Sequence, residues 1–215
     1  MAIPSIQPYP MPVELPVNRV EWRPEADRAV LLVHDMQNYF LRAFPAGQSP
    51  TVELMSNVLA LRERCADLGV PVVYSAQPGG QSTEQRGLLL DFWGDGIGHD
   101  PREAMITDEL APREGDVLLT KWRYSAYQRT ALADLMAEQG RDQLIVCGVY
   151  AHIGVLMTAC EAFMRDVQAF VVADAVADFS LDHHRMALTY AAERCAVTVT
   201  TRQVSRALSA EVAGV

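Results

Sequence analysis

The chain is short of cysteine, of positive charge and of long apolar runs, and each shortage excludes something. Its 4 cysteines, Cys65, Cys147, Cys160 and Cys195, are far apart and form no C-x-x-C pair. That excludes a disulfide framework and a cysteine zinc site, and fits buried, reduced thiols in the cytoplasm. Lys and Arg number 18 against 27 Asp and Glu, a net charge of −9. So acidic a surface does not suit nucleic acid or an anionic membrane, although a pocket can still be locally basic. No run of about 18 apolar residues occurs, so no transmembrane helix is expected. The opening residues lack the charged start and apolar core of a secretory signal. No G-x-G-x-x-G follows a candidate strand, there is no P-loop, and no G-x-S-x-G elbow offers a serine nucleophile. No H-x-x-x-H or H-E-x-x-H offers a metal site, and the adjacent His183 and His184 point apart on a helix. Neither a cofactor nor a metal is implied.

What is present is apolar material, 50% of 215 residues. That is enough for a core, and the length suits one α/β domain. Residues 1–20 carry Pro4, Pro8, Pro10, Pro12 and Pro16 and read as an extended arm before a domain over 21–215. The arm is either a disordered tail or is laid over the body or a partner, since Ile3, Ile6, Tyr9 and Met11 give it something to bury. Short apolar runs occur after it at 29–33, 70–74, 116–120, 143–147, 169–173 and 196–200. Helical patterns separate most of them, at 51–68, 126–139, 154–165, 182–194 and 203–213. Strands without polar alternation imply a sheet buried on both faces. Six of them alternating with helices predict a doubly wound parallel sheet with helices on both faces, a single-domain α/β fold. The stretch 77–111 reads as a long irregular loop.

In such sheets a ligand sits beyond the carboxyl ends of the strands. There the sequence places His34-Asp35, then Ser75-Ala76-Gln77, then Lys121-Trp122-Arg123-Tyr124, then Gly148 to His152. An acid, a lysine, an amide and aromatic rings converge on one edge. Asp35 and Lys121 are either a structural ion pair or a pair that tunes each other for acid–base work.

The stretches Val33 to Gln37, Ala76 to Gly79, Asp91 to Gly94, Thr120 to Ala126 and Cys147 to Gly154 together resemble the isochorismatase family. That family shares its fold with cysteine hydrolases such as nicotinamidases. The cysteine hydrolases use Asp, Lys and a Cys; Asp35 and Lys121 match, but Gly154 stands at the Cys position. The resemblance therefore implies hydrolysis of the vinyl ether of isochorismate or 2-amino-2-deoxyisochorismate without a covalent intermediate, giving pyruvate and a dihydro-aromatic acid. An amidase of the nicotinamidase kind and a non-catalytic carrier-protein partner are the alternatives. In the first reading Asp35 is the acid. Burial and a substrate carboxylate would raise its pKa and Lys121 would oppose this, so the sign of the net shift is open. By resemblance, Gln77, Arg86 and Lys121 hold the carboxylates of a dianionic substrate. The backbone near Tyr150 and Gly154 adds N–H donors, with a cis peptide between Tyr150 and Ala151. Tyr39, Phe40, Trp93 and Tyr124 would wall the ring, and Gly154 would leave room for the enolpyruvyl group. His34 and His152 read as structural hydrogen-bonders, and Cys160 as a packed thiol. The resemblance further implies a homodimer. No Asp-Ser pair marks a fused carrier domain, which suggests a stand-alone enzyme of phenazine or siderophore biosynthesis.

Overall fold

A computed structural model describes residues 3–210. Its strands are β1 (Ala29–His34), β2 (Val72–Ala76), β3 (Val117–Thr120), β4 (Gln143–Val149), β5 (Gln168–Ala177) and β6 (Ala196–Val199). They form one parallel sheet in the order β3-β2-β1-β4-β5-β6. The helices are α1 (Asn38–Leu41), α2 (Thr51–Asp67), α3 (Thr83–Arg86), α4 (Leu89–Trp93), α5 (Pro101–Ala104), α6 (Leu132–Glu138), α7 (Leu156–Met164), α8 (Leu181–Arg194) and α9 (Thr201–Ala210).

Period-two alternation splits the side chains of β1 between two cores. Leu31 and Val33 pack with Leu54, Val58 and Leu61 of α2 and with Leu208 of α9. Val30 and Leu32 pack on the other face with Leu132 and Met136 of α6 and Leu188 of α8. Each such side chain is fully or almost fully buried and contributes about 1.5–3 kcal/mol. Burial on both faces explains the absence of polar alternation in the central strands, and bears out the doubly wound sheet. β3 is the exception. As an edge strand it alternates, with Leu118 exposed and Leu119 buried.

Several boundaries differ from expectation. The helix expected over 126–139 is only α6. Before it, the Ser125 hydroxyl accepts from the Tyr127 N–H, the Thr130 hydroxyl donates to the Ala126 carbonyl, and Arg129 takes a φ of 60°. These local bonds compete with helix. The stretch 77–111 is not structureless, because it holds α3, α4, α5 and a 3-10 turn at Asp108–Leu110. β5 runs four residues past its expected end at 173, to Ala177. Cys160 is half-buried, its Sγ 3.5 Å from that of Cys195, and none of the four cysteines forms a disulfide.

The arm takes the second of its two readings and lies over the body. Ile6 and Tyr9 are buried. The Ile6 N–H donates to the Ala43 carbonyl at 2.8 Å. Asn18 exchanges two hydrogen bonds with the Thr198 backbone, at 2.9 and 2.7 Å, and so covers the open edge of β6. Residues 1–2 of the arm and 211–213 of the expected last helix lie outside the described residues.

Candidate active site

Asp35 follows β1 directly, and its φ of 49° is unusual for a non-glycine residue. The parallel pairing of His34 with Ser75 sets the ends of β1 and β2 side by side. The Ser75 hydroxyl therefore donates to Asp35 Oδ1 at 2.6 Å. The Gln77 amide donates to Oδ2 at 3.2 Å. Lys121, the single lysine of the chain, follows β3 and is 1% exposed. Its Nζ lies 2.9 Å from Asp35 Oδ2. Nζ also donates to the Arg123 carbonyl at 2.7 Å and the Tyr124 carbonyl at 3.4 Å. Three N–H groups thus have three protein acceptors. In this structure Lys121 is paired with Asp35, the pairing that the sequence placed at this edge.

Burial drives the Asp35 carboxyl up, but the charge of the adjacent Lys121 and the hydrogen bonds from Lys121 and Ser75 draw it down. The net displacement is below the ordinary value. Without ligand, Asp35 is a carboxylate. His34, also buried, is pushed down chiefly by desolvation and is a neutral imidazole. Its Nδ1 lies 2.9 Å from the Val149 carbonyl and its Nε2 3.3 Å from the Tyr124 carbonyl. His34 is therefore the structural hydrogen-bonder expected.

The turn after β4 brings in Tyr150 and Gly154. Residues Ala151–Val155 form one π-helical turn ahead of α7. The cis peptide is Val149–Tyr150, one residue earlier than the expected position. The Tyr150 hydroxyl donates to the Phe40 carbonyl at 2.8 Å, so only its ring faces the cleft. Gly154 departs from expectation. A Cβ there would lie 2.7 Å from His34 Nε2, 3.1 Å from Nδ1 and closer still to Cε1. The space beside Gly154 holds the His34 ring and is not left open for an enolpyruvyl group. Glycine is needed because the imidazole packs on its backbone.

Opposite stands Arg86. Its Nε donates to the Gly94 carbonyl at 2.8 Å and a terminal nitrogen to Gln77 Oε1 at 3.2 Å. It is 5% exposed, and desolvation lowers its pKa. Among the described residues no carboxylate comes within ion-pair distance of it. Asp35 and Lys121 neutralise each other, so the site carries one unmatched buried cation. Such a charge is costly unless an anion arrives. Trp93 donates its indole N–H to the Tyr124 hydroxyl at 2.7 Å. These two rings, with Tyr39 and Phe40, wall a cleft in which Asp35, Gln77, Arg86 and Lys121 also lie. Every candidate site residue named from the sequence therefore lines one cleft.

Sequence reasoning missed Phe179, whose ring packs at a tilt 4.6 Å from that of Tyr150. It also missed Ile3 of the arm and Ile97 of the 77–111 stretch, both in the cleft wall. Gln37 was seen only as part of a motif, yet it is fully buried and clamps Gln77 through backbone bonds of 2.8 Å. Phe179 was findable. It lies just past the true end of β5, where the rule that placed the other residues applies. His152, Asp178 and His183 lie close enough to suggest a metal cradle. However, Asp178 already accepts from the His152 N–H, the His152 ring and the Phe179 N–H, at 2.6, 2.6 and 2.7 Å. It ties the 151–155 turn to the end of β5.

A family model, the isochorismatase domain, matches residues 29–203. The chain is 60% identical over 203 residues to the isochorismatase of Bacillus subtilis (strain 168), covering 94% of this chain. It spans 65% of that relative's length. To the phenazine biosynthesis protein PhzD of Pseudomonas fluorescens it is 53% identical over 204 residues, 94% of this chain and 98% of that protein. A crystal structure of a cysteine hydrolase from Pseudomonas syringae pv. phaseolicola 1448A superposes with a TM-score of 0.82 at 22% identity. That match covers 91% of this chain and 98% of the other, and shows the shared fold.

Proposed function

The chain belongs to the isochorismatase family, and from that premise we propose that it hydrolyses the enolpyruvyl ether of 2-amino-2-deoxyisochorismate or isochorismate. The products are pyruvate and 2,3-dihydro-3-hydroxyanthranilate or 2,3-dihydro-2,3-dihydroxybenzoate. The observation that carries this reading is the unmatched Arg86 beside the Asp35–Lys121 pair, in a cleft with no side chain at 154. A dianion with an apolar ring fits that charge and those aromatic walls. The absence of a nucleophile fits a reaction that needs only protonation.

In this mechanism Arg86 and the Gln77 amide receive the carboxylates. The ring lies against Trp93, Tyr124 and Phe179. The incoming negative charge and the loss of water raise the pKa of Asp35, which takes up one proton. Asp35 then protonates the terminal methylene carbon and leaves an oxocarbenium ion. Water adds to that cation and returns a proton to Asp35. The hemiketal collapses, the ring oxygen leaving as the alcohol and the three-carbon fragment as pyruvate. Lys121 and the Ser75 hydroxyl keep the Asp35 carboxyl aimed throughout. An amidase of the cysteine-hydrolase kind is disfavoured, because glycine offers no thiolate and His34 occupies the space one would need.

We place the enzyme in phenazine or siderophore biosynthesis, acting as a cytoplasmic homodimer without cofactor or metal. Support for the compartment comes from four cysteines that form no disulfide. No helix among the described residues is long and apolar enough to cross a membrane. The test is pyruvate release from the purified chain, coupled to lactate dehydrogenase, with both substrates side by side. Wild type is expected to release pyruvate from at least one. Asp35→Ala is expected to release none while still binding the ligand. Folded wild type silent on both substrates would overturn the reading.

A further inference from the structure

We propose that the N-terminal arm is part of the substrate site: Ile3 closes the cleft, and Tyr9, acting through Asp178, positions the turn that carries Tyr150 and Gly154. The proposal rests on the hydrolase reading for its substrate and on the arm's own contacts for everything else.

The contacts form one continuous path. Tyr9 is 7% exposed and His184 and Asp178 are fully buried. Burial raises the Tyr9 pKa, so its hydroxyl keeps its proton. Desolvation lowers that of His184, which is therefore neutral and has one N–H. That N–H is on Nε2, 3.0 Å from the Ala173 carbonyl. Nδ1 is left to accept from the Tyr9 hydroxyl at 3.2 Å. The Tyr9 oxygen in turn accepts the Asp178 N–H at 2.7 Å. Asp178 fixes both the backbone and the ring of His152, in the middle of the 151–155 turn. The next residue, Phe179, packs on Tyr150 and reaches the cleft wall. One phenol on the arm therefore holds the junction of β5 and α8, and that junction holds the turn.

The arm is anchored on its other side as well. The Tyr9 N–H donates to the Ser49 carbonyl at 3.3 Å, and the Met11 N–H to the Ser49 hydroxyl at 3.1 Å. Together with the Ile6 bond to Ala43, these contacts fix the line of the chain, and six residues before Tyr9 it sets Ile3 against the cleft. A strap that served only to cover a sheet edge would need Asn18 and not Ile3. Since Tyr9 and Ile3 touch no reacting atom, they are positioning residues, and removing them weakens binding more than chemistry.

The experiment compares wild type, Tyr9→Phe, Ile3→Ala and a control at an exposed tyrosine, Tyr190→Phe. All are assayed for pyruvate release at 25 °C and for amide hydrogen exchange without ligand. In Tyr9→Phe the His152 and Phe179 amides are expected to exchange about tenfold faster than in wild type or the control. KM should rise about three- to tenfold with kcat within about twofold. Ile3→Ala should raise KM similarly with an unchanged melting temperature. A Tyr9→Phe protein that melts lower, yet keeps wild-type KM and wild-type exchange at His152, would overturn the positioning role. Unchanged KM in Ile3→Ala would overturn the closure. If wild type releases no pyruvate, the hydrolase reading fails, and exchange at His152 alone decides whether Tyr9 positions the turn.

Discussion

Adding one carbon at Gly154 tests how tightly the site is assembled. In Gly154→Ala the new Cβ would sit 2.7 Å from His34 Nε2, about 1 Å inside ordinary contact distance. His34 is 1% exposed and has no free space to enter. If the ring swings away, its single N–H releases whichever of the Val149 and Tyr124 carbonyls it serves, at 2.9 or 3.3 Å. Overpacking costs about 1–3 kcal/mol. A buried carbonyl left unpaired adds about 1 kcal/mol or more. The expected loss is about 2–4 kcal/mol. At a chain length of 215 residues this lowers the melting temperature by about 5–15 °C. Activity should fall further than stability, because Tyr124 also accepts from Lys121 and His34 lies against Asp35. Urea unfolding and pyruvate release read both effects. In a double-mutant cycle with His34→Ala, the alanine at 154 should then cost less than about 1 kcal/mol, since the ring it strikes is gone. A Gly154→Ala protein that melts within about 1 °C of wild type with full activity would refute the reasoning.

Charge dictates two further outcomes. Arg86→Met removes a buried cation that has no acid partner among the described residues, so the melting temperature is expected to hold or rise. Meanwhile kcat/KM should fall about 10- to 100-fold with the lost charge-assisted bonds; a drop in stability with unchanged KM would contradict this. Asp35 is ionised in the free protein because Lys121 and Ser75 offset its burial, and it must be protonated in the complex. Binding of an unreactive dianionic analogue at pH 7 should therefore take up about one proton. Calorimetry in buffers of different ionisation enthalpy measures this, and Asp35→Asn should abolish it; zero uptake by wild type would count against Asp35 as the acid.

The central sheet was legible because Leu31, Val33 and their neighbours carry no polar alternation, which only burial on both faces produces. Asp35, Lys121 and Gln77 were legible because parallel strands all point the same way and deliver the residues at their carboxyl ends to one edge. Legibility failed where tertiary contacts override local pattern. Thr130 and Ser125 turn the start of a helical pattern into a turn through side-chain bonds. Phe179 and Asp178 were passed over because β5 is longer than its apolar core. That His34 fills the space beside Gly154 depends on two residues 120 positions apart in sequence, and no local pattern records such a contact. The sign of the Asp35 shift needed the actual distances to Lys121 and Ser75.

Hydrolysis in D2O tests the central claim, protonation of a vinyl ether at carbon, most directly. The pyruvate formed by wild type, quenched at once and read by mass spectrometry or proton NMR, is expected to carry one solvent deuterium in its methyl group. Pyruvate whose methyl carries no deuterium would mean that the third methyl hydrogen is transferred from the substrate itself and not from a solvent-exchanged acid, and would contradict the role assigned to Asp35.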